Sequence, residues 1–255
     1  MLAKFIEGVE QRQGFISSEI QKDDERVGFE IVSHEGKSTI LASVDSKSSI
    51  RVSRYGVEVD RLSKFCKSMP PIKPHDVLYI DEIGQMQLYS AEFQDFAKSY
   101  LAALNLYVGT ISAVYDHPFI REVKSRKDVV MLNITPENRD AITQALIGLQ
   151  KNIQMYNRLS AEQSKRLKGL AAEYAKNATH TQLYKLFNNA IPYVAEGRIK
   201  LVKRGKYHVR GNTEDHSVER VGDSWQCDCP LFKGEGKFKD NAGECSHIQA
   251  VKILG

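Results

Sequence analysis

Two short patterns near the end of the chain constrain its folding more than any other feature: Cys227-Asp228-Cys229 and Cys245-Ser246-His247. The fourth cysteine, Cys66, stands far from them. Thiolate and imidazole groups suit zinc, which takes four ligands in a tetrahedron. Side chains alternate along a strand, so Cys227 and Cys229 are expected on one side of it. Cys245 and His247 are expected at the start of a helix that continues through Ile248, Val251 and Leu254. The loop over 230–244 is rich in Gly, Lys and Asp and has too little apolar content to fold alone. A metal would hold its two ends together, contributing apparent folding free energy on the order of 10–16 kcal/mol. In a reducing compartment such a cluster is expected to be a metal site rather than a disulfide framework. The alternative is two unrelated cysteine pairs. No spare histidine or carboxylate is clearly placed to activate a thiol for redox or catalytic work. Cys66 reads as a buried small apolar residue.

The chain has 255 residues, enough for two modest domains. Hydrophobic residues make up 42% and charged residues 27%, an ordinary globular composition. No apolar run approaches the roughly 20 residues needed to span a bilayer, so no membrane association is expected. Met1-Leu2-Ala3-Lys4-Phe5 lacks a signal-peptide layout, and a cytoplasmic location follows as the expectation. The net charge of +4 permits nucleic-acid contact without demanding it.

Residues 1–140 have an α/β pattern. Leu2, Phe5, Ile6 and Val9 fall on one face of a short helix. Residues 14–20 and 27–32 read as strands joined by the charged turn 21–25. Three apolar runs follow, at 77–80, 106–108 and 129–132, with a helical stretch over 91–104 between the first two. Such runs separated by helices suggest a parallel sheet buried on both faces. Residues 141–177 are helical. Ile142, Leu146, Leu149, Ile153 and Tyr156 form one stripe, and Ser160-Ala161-Glu162-Gln163 is a capping box that opens a second helix. This pair reads as a spacer. In residues 178–255 a short helix is followed by strands over 207–210 and 216–221, with Gly222-Asp223 as a hairpin turn into 224–227.

The spacing Cys-x-Cys…Cys-x-His resembles the SWIM zinc finger over about residues 207–254, including the hairpin before the first cysteines and the helix after the histidine. SWIM modules bind DNA or proteins, and the resemblance implies a partner of that kind. A basic run, Arg198, Lys200, Lys203, Arg204, Lys206 and Arg210, lies just before the ligands and could neutralise phosphates. A solvated, Lys-rich strand edge that discourages aggregation explains it equally well. The loop lysines Lys233, Lys237 and Lys239 tilt the balance toward nucleic acid.

Val77-Leu78-Tyr79-Ile80-Asp81-Glu82 is an apolar strand ending in two acids. Open parallel sheets bind ligands at the carboxyl ends of their strands. There an aspartate can hold magnesium and a neighbouring glutamate can polarise water. Residues 81–90, Asp-Glu-Ile-Gly-Gln-Met-Gln-Leu-Tyr-Ser, resemble the signature of the small nucleoside-triphosphatase family that includes the cancer-related nucleoside-triphosphatase. Gly14-Phe15-Ile16, Glu19-Ile20 and Arg26-Val27-Gly28-Phe29 are similar to its β-hairpin. Arg51-Val52-Ser53-Arg54-Tyr55-Gly56-Val57 resembles its Arg-Val-Gly-x-Tyr-Gly-Val segment, departing at Ser53. Gly109-Thr110 and Thr135-Pro136-Glu137-Asn138-Arg139 match later elements in order. The resemblance implies hydrolysis of nucleoside triphosphates to diphosphates with Mg, Asp81 organising the metal and Glu82 positioning the water. It places Thr135, Asn138 and Arg139 at the end of the last strand, on the base side. Arg126 is read as a surface arginine in preference to a phosphate contact.

One departure bears on activity. The family begins with a strand and Gly-x-x-x-x-Gly-Lys-Thr, whose amides and lysine cradle phosphates, and this sequence has no such motif. Either the start is misplaced or truncated and the full protein has the loop, or the core is a degenerate scaffold. The intact Asp81-Glu82 pair favours the first. The expected fold is therefore α/β: a P-loop NTPase-like, mostly parallel sheet without its first strand and phosphate loop, a helical spacer, and a small ββα zinc module. The expected function is triphosphate hydrolysis coupled to whatever the zinc module contacts. The alternative is a non-catalytic zinc-finger binding protein.

Overall fold

In the computed structural model, which describes residues 1–177, 180–234 and 244–255, helix α1 (Leu2–Glu7) buries Leu2, Phe5 and Ile6, and Val9 is buried just beyond it. Arg12 closes the end of α1 by donating from Nη1 to the carbonyls of Ile6 (3.0 Å), Glu7 (3.3 Å) and Val9 (2.6 Å). A cation there satisfies carbonyls that have no intrahelical donor. Strands β1 (Arg12–Lys22) and β2 (Glu25–Ser33) form the expected hairpin. Its turn is tighter than the charge pattern suggests. Only Asp23 and Asp24 lie outside the ladder, both at positive φ, the left-handed conformation that two-residue hairpin turns require.

The meander continues through β3 (Ser38–Ser43), β4 (Arg51–Val52) and β5 (Tyr55–Val57), then α2 (Val59–Lys67). Strand β6 (Val77–Ile83), a 3-10 turn (Gln87–Tyr89), α3 (Ala91–Ala102), β7 (Tyr107–Ile111) and α4 (Pro118–Ser125) complete the first unit, Met1–Ser125. Its sheet has seven strands in the order β4-β5-β3-β2-β1-β6-β7. Strands β1, β6 and β7 run parallel, and the remaining pairings are antiparallel. Val77, Leu78, Tyr79 and Ile80 are all buried, as a strand covered on both faces requires. Phe15 of β1 is fully buried, with the rings of Phe65 on α2 and Phe93 and Phe96 on α3 at 5.6, 6.1 and 6.0 Å. The α/β class expected from the sequence is the class observed.

The apolar run at 129–132 is not a strand. The amide of Val129 turns back to the carbonyl of Arg126, and no strand pairs with this run among the described residues. A run of four apolar residues becomes a strand only where a neighbouring edge receives its amides, and periodicity over so short a stretch does not decide.

Residues Arg126–Gly255 form the second unit. Helices α5 (Arg139–Lys151) and α6 (Ile153–Tyr156) carry the predicted stripe, with Ile142, Leu146, Leu149 and Tyr156 buried. Helix α7 (Ala161–Lys176) opens on the capping box: Ser160 Oγ accepts from the Gln163 amide at 3.2 Å, and Gln163 Oε1 accepts from the Ser160 amide at 2.9 Å. Helix α8 (His180–Lys185), a π-helical turn (Leu186–Ala190) and α9 (Ile191–Ala195) lead into a four-stranded antiparallel sheet. Its strands are β8 (Ile199–Lys203), β9 (Lys206–Arg210), β10 (Asp215–Val221) and β11 (Ser224–Cys227), in the order β11-β10-β9-β8. The predicted turn at Gly222 has a positive φ of 61°. After α10 (Pro230–Lys233), helix α11 (Ser246–Leu254) packs against α7, where Arg166 donates to the Leu254 carbonyl at 2.5 Å. The helical stretch read as a spacer thus lies within the same unit as the Cys/His pairs. No helix among the described residues is long and apolar enough to cross a membrane.

Candidate functional site

Ile80 pairs with Gly109 across the parallel β6–β7 ladder, whose register then shifts before the Ile83–Ile111 pair, and Asp81 and Thr110 lie in this irregular stretch. Thr110 Oγ1 donates to Asp81 Oδ1 at 2.5 Å. On the other side, β1 brings Ser17 against the same acid, and its Oγ donates to the Asp81 carbonyl at 2.6 Å. Asp81 is half-buried and keeps a second carboxylate oxygen for a hard cation. The Asp81–Glu82 peptide is cis.

Glu82 follows on the exposed side of the strand, and its carboxyl folds over buried Gly84. Contact with the chain strips water from this carboxyl and pushes its pKa above the usual value, and the charge of Asp81 adds to the effect. A carboxylate tuned upward is a better proton acceptor near neutral pH. Gln87, in the turn after β6, is buried and donates from Nε2 to Ser17 Oγ at 3.4 Å. Helix α3 begins at once, capped by Ser90, whose Oγ accepts from the Phe93 amide at 3.1 Å. The arrangement offers a metal-binding carboxylate and a basic carboxylate on consecutive residues at the carboxyl end of a strand.

Thr135, Asn138 and Arg139 do not end a strand, contrary to the sequence-based placement. They make the turn that opens α5. Asn138 Oδ1 accepts from the Thr135 amide at 2.8 Å, its Nδ2 donates to the Asn133 carbonyl at 2.9 Å, and Arg139 is exposed at the first helical position. With no strand over 129–132, there is no strand end for them to occupy. Arg126 pairs with Asp128 at 2.7 Å.

In the second unit, Cys227, Cys229, Cys245 and His247 are all buried and their ligand atoms lie within 4.8 Å of one another. Cys227 Sγ is 3.7 Å from His247 Nδ1. A tetrahedron with metal–sulphur bonds of ~2.3 Å has edges of about 3.8 Å, so the spacing fits zinc. The donors are soft, buried and four in number, which fits a closed structural site. Charge distribution agrees. Donation from the Cys227 thiol and then the Cys245 thiol lowers the pKa of Cys229, while the same contact pushes Cys227 up. Three sulphurs in one buried pocket ionise together only with a cation among them.

Cys227 ends β11, and Cys245 caps α11, as the spacing predicts. Asp228 ties the first pair to β10, accepting at Oδ1 from the Ser217 amide at 3.0 Å and lying 3.3 Å from His216 Nδ1. The buried His216 ring is 4.3 Å from that of His247. Glu244, just before Cys245, accepts from Tyr174 and Lys252, both at 2.6 Å. The basic run is partly compensated: Arg198 pairs with Glu196, and Lys206 with Glu219. Lys200 and Lys203 lie exposed on β8, an edge strand. Lys237 and Lys239 lie outside the described residues, and Lys233 ends α10.

Sequence reasoning missed Thr110, Ser17 and Gln87 as neighbours of Asp81 and Glu82. Gly109-Thr110 was visible as the pair that follows the 106–108 run, but which strand it adjoins is a property of sheet order. The only signal for Ser17 was its polarity inside an apolar strand.

The N-terminal part of the chain is similar to known proteins. The chain is 29% identical over 153 residues to nucleoside-triphosphatase THEP1 of Thermotoga sp. (strain RQ2), covering 59% of this chain and 87% of that protein. It is 30% identical over 162 residues to the Aquifex aeolicus THEP1, covering 58% and 90%. The mouse (Mus musculus) cancer-related nucleoside-triphosphatase homolog is 28% identical over 152 residues, with 53% and 79% covered. The crystal structure of Aquifex aeolicus THEP1 superposes with a TM-score of 0.50 at 28% identity, covering 59% of this chain and 90% of that one. The family model described as NTPase (NTPase_1) matches residues 1–147, more than half of the chain, and the protein therefore belongs to that family.

Proposed function

We propose that the N-terminal core hydrolyses a nucleoside triphosphate to its diphosphate and phosphate with magnesium. The observation that carries this is the Asp81–Glu82 pair at the carboxyl end of β6, with Thr110 donating to Asp81. Asp81 would hold the ion, which neutralises charge on the phosphates. Glu82 accepts a proton from water as the water oxygen bonds to the terminal phosphorus and the bridging P–O bond breaks. Thr110 fixes which carboxylate oxygen of Asp81 faces outward. Phosphates also need backbone amides and a cation opposite, and the sequence contains no Gly-x-x-x-x-Gly-Lys-Thr. The experiment is magnesium-dependent phosphate release from the chain as given and from a version extended upstream in frame. Turnover in either, abolished by Glu82→Gln, supports the reading; none in both defeats it.

We infer further that Cys227, Cys229, Cys245 and His247 hold zinc in a SWIM-like module that contacts DNA or a protein. The buried three-sulphur, one-nitrogen cluster supports the metal, and exposed Lys200 and Lys203 support an acidic partner. Salt-dependent retention on duplex DNA, lost in Cys227→Ser, is expected for a nucleic-acid partner; retention unaffected by salt or by that substitution counts against it.

A further inference from the structure

We propose that Lys185 is the counter-charge of the Cys227–Cys229–Cys245–His247 metal site, so that ion, thiolates and lysine form one neutral buried unit; this rests on the zinc reading above. Three thiolates and a neutral imidazole around a divalent ion leave one net negative charge, and burial makes an uncompensated charge costly. Glu244 adds a second negative charge, but Lys252 answers it at 2.6 Å. Arg198 is committed to Glu196 at 2.5 Å. The cluster still lacks a cation. Lys185, the last residue of α8, is 8% exposed and is the one buried lysine or arginine among the described residues. A lysine is almost never buried without a partner. Yet no carboxylate and no hydrogen-bond acceptor pairs with Lys185 among the described residues.

Two helices bring Lys185 to the sulphurs. On α11, the Gln249 amide donates to the Cys245 carbonyl at 3.1 Å, one turn earlier. The Gln249 side chain is fully buried, and its Nε2 donates to the Gln182 carbonyl at 3.1 Å and to Gln182 Oε1 at 3.0 Å. Gln182 stands three residues before Lys185 on α8, and residues three or four apart share a helix face. The contact therefore turns the face of α8 that carries Lys185 toward the face of α11 that begins at Cys245. Electrostatics agree. Burial pushes the pKa of Lys185 down, while Cys245 first, then Cys229 and Glu244, hold it up. The dependence is mutual: the ion gathers the thiolates that make a buried ammonium tolerable, and the ammonium offsets the charge that the thiolates bring to the ion.

The test loads the full chain with zinc and compares the parent with Lys185→Met, unbranched but uncharged, and Lys185→Arg, which keeps the charge. Competition with a chromophoric chelator is expected to show zinc held about tenfold to a hundredfold more weakly in Lys185→Met and within about threefold of the parent in Lys185→Arg. If Lys185→Met does not fold, Lys185→Gln, also uncharged, is measured in its place. With cobalt(II) replacing zinc, the sulphur-to-metal charge-transfer absorption is expected to move to longer wavelength in the uncharged variant and to stay in place in Lys185→Arg. Thiolates without a nearby cation give up electrons more readily, which sets that direction. Unchanged zinc affinity in the uncharged variant overturns the proposal, and so does an equal loss in both variants, because charge is then not the cause. An unmoved cobalt band also overturns it. A parent chain that takes up no zinc overturns the zinc reading and this proposal together, and is distinguished because the loss precedes any substitution at Lys185.

Discussion

The carboxyl of Glu82 lies so close over the Cα of Gly84 that a methyl group there would stand 2.3 Å from Oε1 and 2.8 Å from Cδ. Gly84 has no positive φ, so alanine is tolerated by the backbone and the clash falls on the Glu82 side chain, which swings aside. Gly84→Ala is therefore expected to change stability by less than about 1 kcal/mol and to lower phosphate release by about tenfold or more. Melting temperature and turnover, measured on the same preparation, check both halves.

Zinc content is expected at one ion per chain by elemental analysis. Cys227→Ser removes one of four ligands, and an equal share of the ~10–16 kcal/mol typical of structural zinc corresponds to a loss of affinity on the order of 100-fold or more. Competition with a chromophoric chelator measures it. Removal of the ion is expected to lower the melting temperature, because the thiols then share one pocket without a cation.

Glu92, in the first turn of α3, has its pKa held down at about 2 by Lys67 first, then by its own backbone amide and Ser63. A carboxyl whose folded-state pKa is depressed adds stability above its unfolded value, and that contribution disappears as pH falls toward about 2. Thermal melts taken from about pH 5 down to about pH 2 are expected to show a shallower acid decline in Glu92→Gln than in the parent.

The Ser160–Gln163 capping box satisfies two amides that the helix leaves without partners. Ser160→Ala is expected to cost about 1 kcal/mol by urea denaturation. Gln163→Ala should cost less, because only the reciprocal bond is lost.

Cys66 is buried on α2, and desolvation lifts its thiol to about 12. The thiolate is the reactive form, so iodoacetamide at mildly alkaline pH is expected to leave Cys66 unmodified in the folded chain and to alkylate it after denaturation. Peptide mass mapping reads the result.

Elements whose residues declare their own environment were legible. The stripe Ile142, Leu146, Leu149 and Tyr156 is buried because its spacing already matched one helix face, and Cys227 and Cys245 occupy a strand end and a helix cap because their spacing left few alternatives. Elements that depend on a neighbour were not. Val129–Leu132 has strand-like residues but no edge to join. Strand β8 is the Lys-rich strand edge weighed for the basic run, but its bounds were not readable, because a charged stretch with little apolar alternation does not mark them. The Asp81–Glu82 pair could be picked out as two acids ending an apolar run, whereas Thr110 lies 29 residues away and is brought to Asp81 only by sheet order.

The pairing of β6 with β7 has a wider implication. A slip of one position between these two strands would turn Thr110 to the opposite face of the sheet and leave the aspartate without its hydroxyl, while every amino acid stayed the same. The behaviour of that acid is thus written in backbone alignment as much as in side-chain identity. Exchanging residues one at a time would sample it poorly, and a single-residue deletion in the 107–111 strand would expose it at once.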